Sequence, residues 1–110
     1  VAKPIRKSLL VHEIGYQEYD GNDRLGETYK PSINVSLVRV EPKRSVVVNT
    51  NNESIVSNTL LFIDAYHTAP RIVPKEKSKV VFEGVSYIVQ KVNTFYAGSN
   101  RVHHWEAILV

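Results

Sequence analysis

The residues best equipped for chemistry are His103, His104 and Glu106, two imidazoles and a carboxylate within four positions. Such a set suggests a metal site, with His12 or His67 as a further ligand. The spacing argues against it. In the extended conformation that Val102 to Val110 favours, neighbouring side chains point to opposite faces, so His104 shares a side with Glu106 while His103 lies with Trp105. A metal ion needs three or four ligands converging on one point, and this pattern divides them. The histidines read as polar neighbours of a core tryptophan, and neither metal nor cofactor is expected.

Asp64, beside Tyr66 and His67, has the residue types for proton transfer. General acid–base work also needs a paired carboxylate or a nucleophile within reach, and none is near in sequence. Asp64 reads as a polar strand end. Cysteine is absent, which excludes a thiol nucleophile, disulfides and thiolate metal sites and suits a reducing cytoplasm. Gly-rich phosphate loops, nucleophile elbows and His-Glu-x-x-His helices are all missing from the sequence. Asn34-Val-Ser36 and Asn52-Glu-Ser54 match the glycosylation triplet, which chance alone produces often. No catalytic residue is assigned and the chain reads as a non-enzyme.

The elements that would carry these side chains must come from 110 residues with 43% hydrophobic content, which fit one domain, 1–110, with one modest core. No apolar run approaches the roughly 20 residues of a membrane-crossing helix. The opening Val-Ala-Lys-Pro-Ile-Arg-Lys lacks the apolar centre of a signal peptide, so nothing suggests export. A net charge of +3 permits contact with nucleic acid or an acidic surface without the dense basic field of a dedicated nucleic-acid binder.

The clearest local signal is Lys79 to Val92. Two β-prone runs flank Glu83-Gly84, predicting a hairpin through either a type I′ turn or a type I turn with Gly84 in a bulge. The second strand continues through Tyr96, and Gly98-Ser99-Asn100 turns the chain into Val102 to Val110, giving a three-stranded meander. Upstream, Ser8 to Ile14 predicts a first strand, with Leu9 and Val11 on one side and Leu10, His12 and Ile14 on the other. Tyr19 to Thr28 reads as a solvated loop or hairpin end. Ile33 to Val40 begins with a clean period of two that aims Ile33, Val35 and Leu37 at the core. From Glu41 to Asn58 the pattern degrades: Pro42 cannot donate to a ladder, and Asn, Thr, Ser and Glu dominate. That segment is expected to be one long polar loop, of a length that is usually functional or disordered. Thr59 to Tyr66 is apolar on both faces, as a central strand is.

No helical period is sustained, so the fold class is all-β: a small antiparallel, partly open barrel of five to six strands, with a two-sheet sandwich as the competing arrangement. Phe62, Phe82, Tyr87, Phe95, Tyr96 and Trp105 are scattered through the strands. An OB- or SH3-like barrel that binds single-stranded nucleic acid would stack bases on some of these, beside Lys and Arg. Core packing is the plainer account of the rings. Ordinary solvated charge is the plainer account of Lys75, Lys77 and Lys79.

This layout resembles the small head-completion proteins of long-tailed bacteriophages and prophages, the minor capsid proteins that include head-to-tail stoppers. The resemblance lies in the early strand Leu9 to Ile14, the Gly-bearing turn Asp20 to Glu27, and the strand Ile33 to Val40 with its long loop. It continues through Leu60 to Asp64, Pro70-Arg-Ile-Val-Pro74, Lys79 to Val89 and the ending Val102-His-His-Trp-Glu-Ala-Ile-Leu. It implies a barrel subunit of the virion neck, made in the bacterial host cytoplasm. Such a subunit self-associates as a ring under the portal or adaptor, docks the tail and helps retain packaged DNA. It also implies no membrane association. By the same resemblance the 41–58 loop projects towards the DNA channel, which puts Lys43, Arg44, Asn49, Asn51, Asn52 and Glu53 on the channel-facing segment. Unlike a stopper, the chain lacks a helix-forming stretch there.

Overall fold

Runs of Val, Ile, Tyr and Phe favour pleated backbone, and turn residues divide those runs into strands. A computed structural model describes residues 4–48, 53–98 and 100–110, giving backbone alone for 43–48 and 53–58. Among the described residues there are eight strands: β1 (His12–Gln17), β2 (Tyr19–Asp23), β3 (Gly26–Tyr29), β4 (Ile33–Val48), β5 (Glu53–Asp64), β6 (Lys79–Phe82), β7 (Val85–Tyr96) and β8 (Val102–Leu109).

Six of them form a closed antiparallel barrel in the order β1-β4-β5-β8-β7-β6, while β2 and β3 make a separate two-stranded ribbon. The expected all-β antiparallel barrel is present with six strands, closed where a partly open one was expected, and the sandwich alternative is excluded. The seam that closes it is short, joining Gly15 to Val81, Tyr16 to Val80 and Gln17 to Lys79. The Glu83-Gly84 hairpin is present, with φ of 49° and 78° at the two residues and Phe82 paired with Val85. Two positive φ values in a two-residue loop mark the type I′ turn.

The predicted first strand begins later than expected. Lys7–Leu9 is a 3-10 turn and β1 starts at His12, although the phase holds, since Leu10 and Ile14 are buried and Leu9 and Val11 exposed. β5 lies between β4 and β8, as a strand apolar on both faces should.

In β4 the inward set differs from the expected Ile33, Val35 and Leu37. Val35, Val38 and Val40 are buried, whereas Ile33 is exposed. The cause is a bulge: His12 pairs with Val38 and Glu13 with Ser36, so Leu37 is the extra residue, with φ of 57°. One added residue shifts the inward phase from odd to even positions.

The larger correction concerns 41–58. Its described residues, 41–48 and 53–58, are strand and not loop, because β4 and β5 stay paired from Glu41 with Leu60 out to Val48 with Glu53, while 49–52 lie outside the described residues. Proline is tolerated in that ladder because of its edge. The N–H of Val40 points to His12 and donates to its Nδ1 at 3.0 Å. Two residues on, the missing N–H of Pro42 falls on the same side, away from β5.

The core is the barrel interior, filled by Ile14, Tyr16, Val35, Val38, Val40, Leu61, Ile63, Val80, Val89, Trp105, Ala107 and Leu109. Each large aliphatic side chain removed from water here contributes about 1.5–3 kcal/mol.

Candidate functional surfaces

At the end of β5, the Asp64 side chain is fully buried. Its Oδ1 accepts from the N–H of Ile5 at 2.9 Å, and its Oδ2 accepts from the N–H groups of Tyr66 at 2.9 Å and His67 at 2.7 Å. Each of these bonds organises backbone: Asp64 forms the turn after β5 and fastens the N-terminal segment to it. These bonds place Asp64 at the end of β5 as the residue that builds the turn.

His103, His104 and Glu106 come closer together than strict alternation allows. Phe95 pairs with His104 and Tyr96 with Val102, which leaves His103 as a bulge residue and turns its ring beside that of His104. The two Nδ1 atoms are 2.8 Å apart, and His104 Nε2 lies 3.3 Å from Glu106 Oε2. The His104 ring also stacks on Phe95, with centroids 4.6 Å apart and an interplanar angle of 2°. His104 thus spends one nitrogen on each neighbour, so the three residues form a chain and not a cluster around a common point. Among the described residues no group of three His, Cys, Asp or Glu is placed to hold a metal ion. His12 and His67 stand elsewhere: His12 Nδ1 accepts from the Val40 N–H at 3.0 Å, and the His67 ring meets that of Tyr66 edge to face with centroids 4.9 Å apart.

Two concavities open on the barrel. A broad groove of about 1210 Å3 is lined by Pro4, Ala65, Tyr66, Arg71, Arg101 and His103. A smaller one, about 370 Å3, is bounded by His12, Val40, Pro42, Thr59, Phe82 and Tyr87, where β4 and β5 leave the wall. Beyond that point the two strands form an arm. β5 pairs with β8 only from Thr59 onward, while residues 53–58 pair solely with 43–48 of β4. Of the residues expected to face the channel, three fall on this arm. Lys43, Arg44 and Glu53 lie on the arm's strands, their side chains outside the description, and Asn49, Asn51 and Asn52 lie outside the described residues.

Residues 6–109 match the family model described as Minor capsid protein. The chain belongs to the minor capsid protein family. Its members are structural components of a virion, and the family resemblance carried by the strand and turn layout is borne out at that level. No curated protein matches the chain. It is similar to the solved structure of the phage-like element PBSX protein xkdH from Bacillus subtilis, with 13% identity over 90% of this chain and 91% of that chain, at a TM-score of 0.47.

A third surface of this minor capsid family member was not foreseen, because its rings, Tyr19 and Tyr29, sit in a segment whose Asp, Asn and Gly read as solvated turn. They meet edge to face, with centroids 5.9 Å apart, on the β2–β3 ribbon. Lys75 Nζ and Lys77 Nζ stand 5.9 Å and 5.3 Å from the Tyr19 ring centre, and Lys79 Nζ stands 4.4 Å from that of Tyr29. Beside them Lys30 and Glu18 form an ion pair at 2.6 Å. That bond holds the Glu18 carboxyl below its ordinary value and Lys30 above its own, with burial opposing in each case. Partial burial and a hydrogen bond to Glu27 raise the Tyr29 hydroxyl.

Proposed function

We propose that this protein is a structural subunit of a bacteriophage head-tail connector, working without catalysis. It assembles as a ring under the portal or adaptor, offers the tail a docking surface and helps retain packaged DNA. The observation that carries this reading is the β4–β5 arm on a closed barrel, in a chain whose family is that of minor capsid proteins. A rigid wall suits a ring subunit, since its neighbours meet a fixed shape. A paired ribbon that leaves the wall can reach past the ring's own thickness towards the channel. On this reading Lys43, Arg44 and Glu53 of the arm, together with Asn49, Asn51 and Asn52, meet the channel and the DNA.

The test mixes purified protein with tailless, DNA-filled heads and images them by negative stain, beside a variant in which residues 45–56 are replaced by a short Gly-Ser link. Added density at the portal vertex with the full chain, and DNA leakage with the shortened arm, are the expected results. Heads that bind no protein would refute the connector role. Retention unchanged by the shortened arm would refute the role of the arm alone.

A further inference from the structure

Lys75, Lys77 and Lys79 are not simply a charged loop, because the fold gathers them. Ser78, between two of them, is fully buried. Its Oγ accepts from the buried Tyr16 hydroxyl at 3.2 Å and from the Tyr19 N–H at 3.0 Å. The Tyr16 hydroxyl accepts in turn from the Lys75 N–H at 3.1 Å, and the Lys77 N–H is bonded to the carbonyl of Val89 at 2.8 Å. Lys77 itself sits at φ of 71°, a backbone conformation that costs a non-glycine residue about 1 kcal/mol or more. The segment is therefore pinned at three points, and its lysines emerge on the tyrosine side.

Three ammonium groups so placed repel one another, and cation–π contacts with two rings, together with the bond that Lys75 Nζ donates to the Tyr19 carbonyl at 3.1 Å, offset only part of that. Of the carboxylates nearby, Glu18 is bonded to Lys30 while also feeling the charge of Lys75, and Glu27 accepts from the Tyr29 hydroxyl. Among the described residues no carboxylate comes within ion-pair distance of Lys75, Lys77 or Lys79. We propose that the Lys75, Lys77 and Lys79 ammonium groups, gathered over Tyr19 and Tyr29, form a binding site for the phosphodiester backbone of nucleic acid. The cluster contains no guanidinium, the group that favours forked recognition of a fixed carboxylate. Lysines act as mobile point charges, which suits a regularly charged strand read without regard to sequence. The site lies on the ribbon and its neighbouring loop, apart from the arm, so it holds or fails independently of the connector role.

The test is a fluorescence titration of the full chain with a labelled duplex and a labelled single strand of equal length, at low and moderate salt. It is run on wild type, on the triple variant Lys75→Gln, Lys77→Gln, Lys79→Gln, and on a control triple, Arg6→Gln, Lys7→Gln, Lys91→Gln. For three phosphate contacts on duplex, wild-type affinity should fall roughly 40-fold for a fourfold rise in salt. The cluster variant should lose about tenfold or more at low salt and most of its salt dependence, while the control stays within about threefold of wild type. Equal losses in both triples would reduce the effect to net charge and overturn the site. So would the absence of wild-type binding at low salt, or displacement of the DNA by poly-glutamate at equal charge concentration. Circular dichroism checks each variant. If the triple does not fold, Lys77→Gln and Lys79→Gln are titrated singly, each expected to lower the salt slope by about one, and an unchanged slope overturns the site.

Discussion

The hydroxyl of Thr68 donates to the carbonyl of Leu37 at 2.7 Å while accepting the N–H of Asp64 at 2.9 Å. The bulge in β4 turns the Leu37 carbonyl out of register with β1, and a side chain from the turn after β5 supplies what the ladder no longer does. Thr68→Val keeps the shape but strands one buried donor and one acceptor. Urea unfolding should show a loss of about 1–3 kcal/mol, against almost none for Thr68→Ser.

Asp64→Ala removes the acceptor of three backbone N–H groups at once. The expected cost is about 3 kcal/mol or more, measured by chemical denaturation. Hydrogen exchange at Ile5, Tyr66 and His67 should accelerate before that of the barrel strands.

Glu83 occupies a left-handed position, with φ of 49°, that asparagine adopts more easily. Glu83→Asn should stabilise by about 0.5–1 kcal/mol and raise Tm by ~2–5 °C, read by calorimetry.

Leu61 is fully buried and Leu25, at the tip of the ribbon, is 97% exposed. Leu61→Ala should cost about 2–5 kcal/mol and Leu25→Ala no more than about 0.5 kcal/mol.

The Glu18–Lys30 pair sets a pH window. Glu18 is held below its ordinary 4.5, so what it contributes is present above that value and lost as pH falls through the lowered one. Lys30 is held above its ordinary 10.5, so its share is present below that value and lost as pH rises through the raised one. Lys30→Gln should lower Tm slightly at neutral pH, on the order of a degree for so exposed a pair, and not at all well below the Glu18 transition.

Much of the barrel was legible because alternation and turn chemistry act locally. Glu83-Gly84 announced its hairpin, Leu61 and Ile63 their central strand, and Trp105 its place in the core. What escaped depends on partners distant in sequence. Nothing near Leu37 signals a bulge whose carbonyl is satisfied by Thr68, 31 residues on. Pro42 argued against a strand until the side its nitrogen faces was known, and that is fixed by His12. The histidines of β8 were expected on opposite faces, and a bulge against β7 brought their rings together. Tyr19 and Tyr29 were hidden for the same reason, since lysines 50 or more residues later give them their meaning.

Because Gly15 to Gln17 meet Lys79 to Val81, the barrel's hydrogen bonds run full circle, and no strand of the wall can peel away without parting from a neighbour on either flank. The arm has no such hoop. Among the described residues its strands, 43–48 and 53–58, are laddered to each other alone, so parting them would leave the vessel behind them whole.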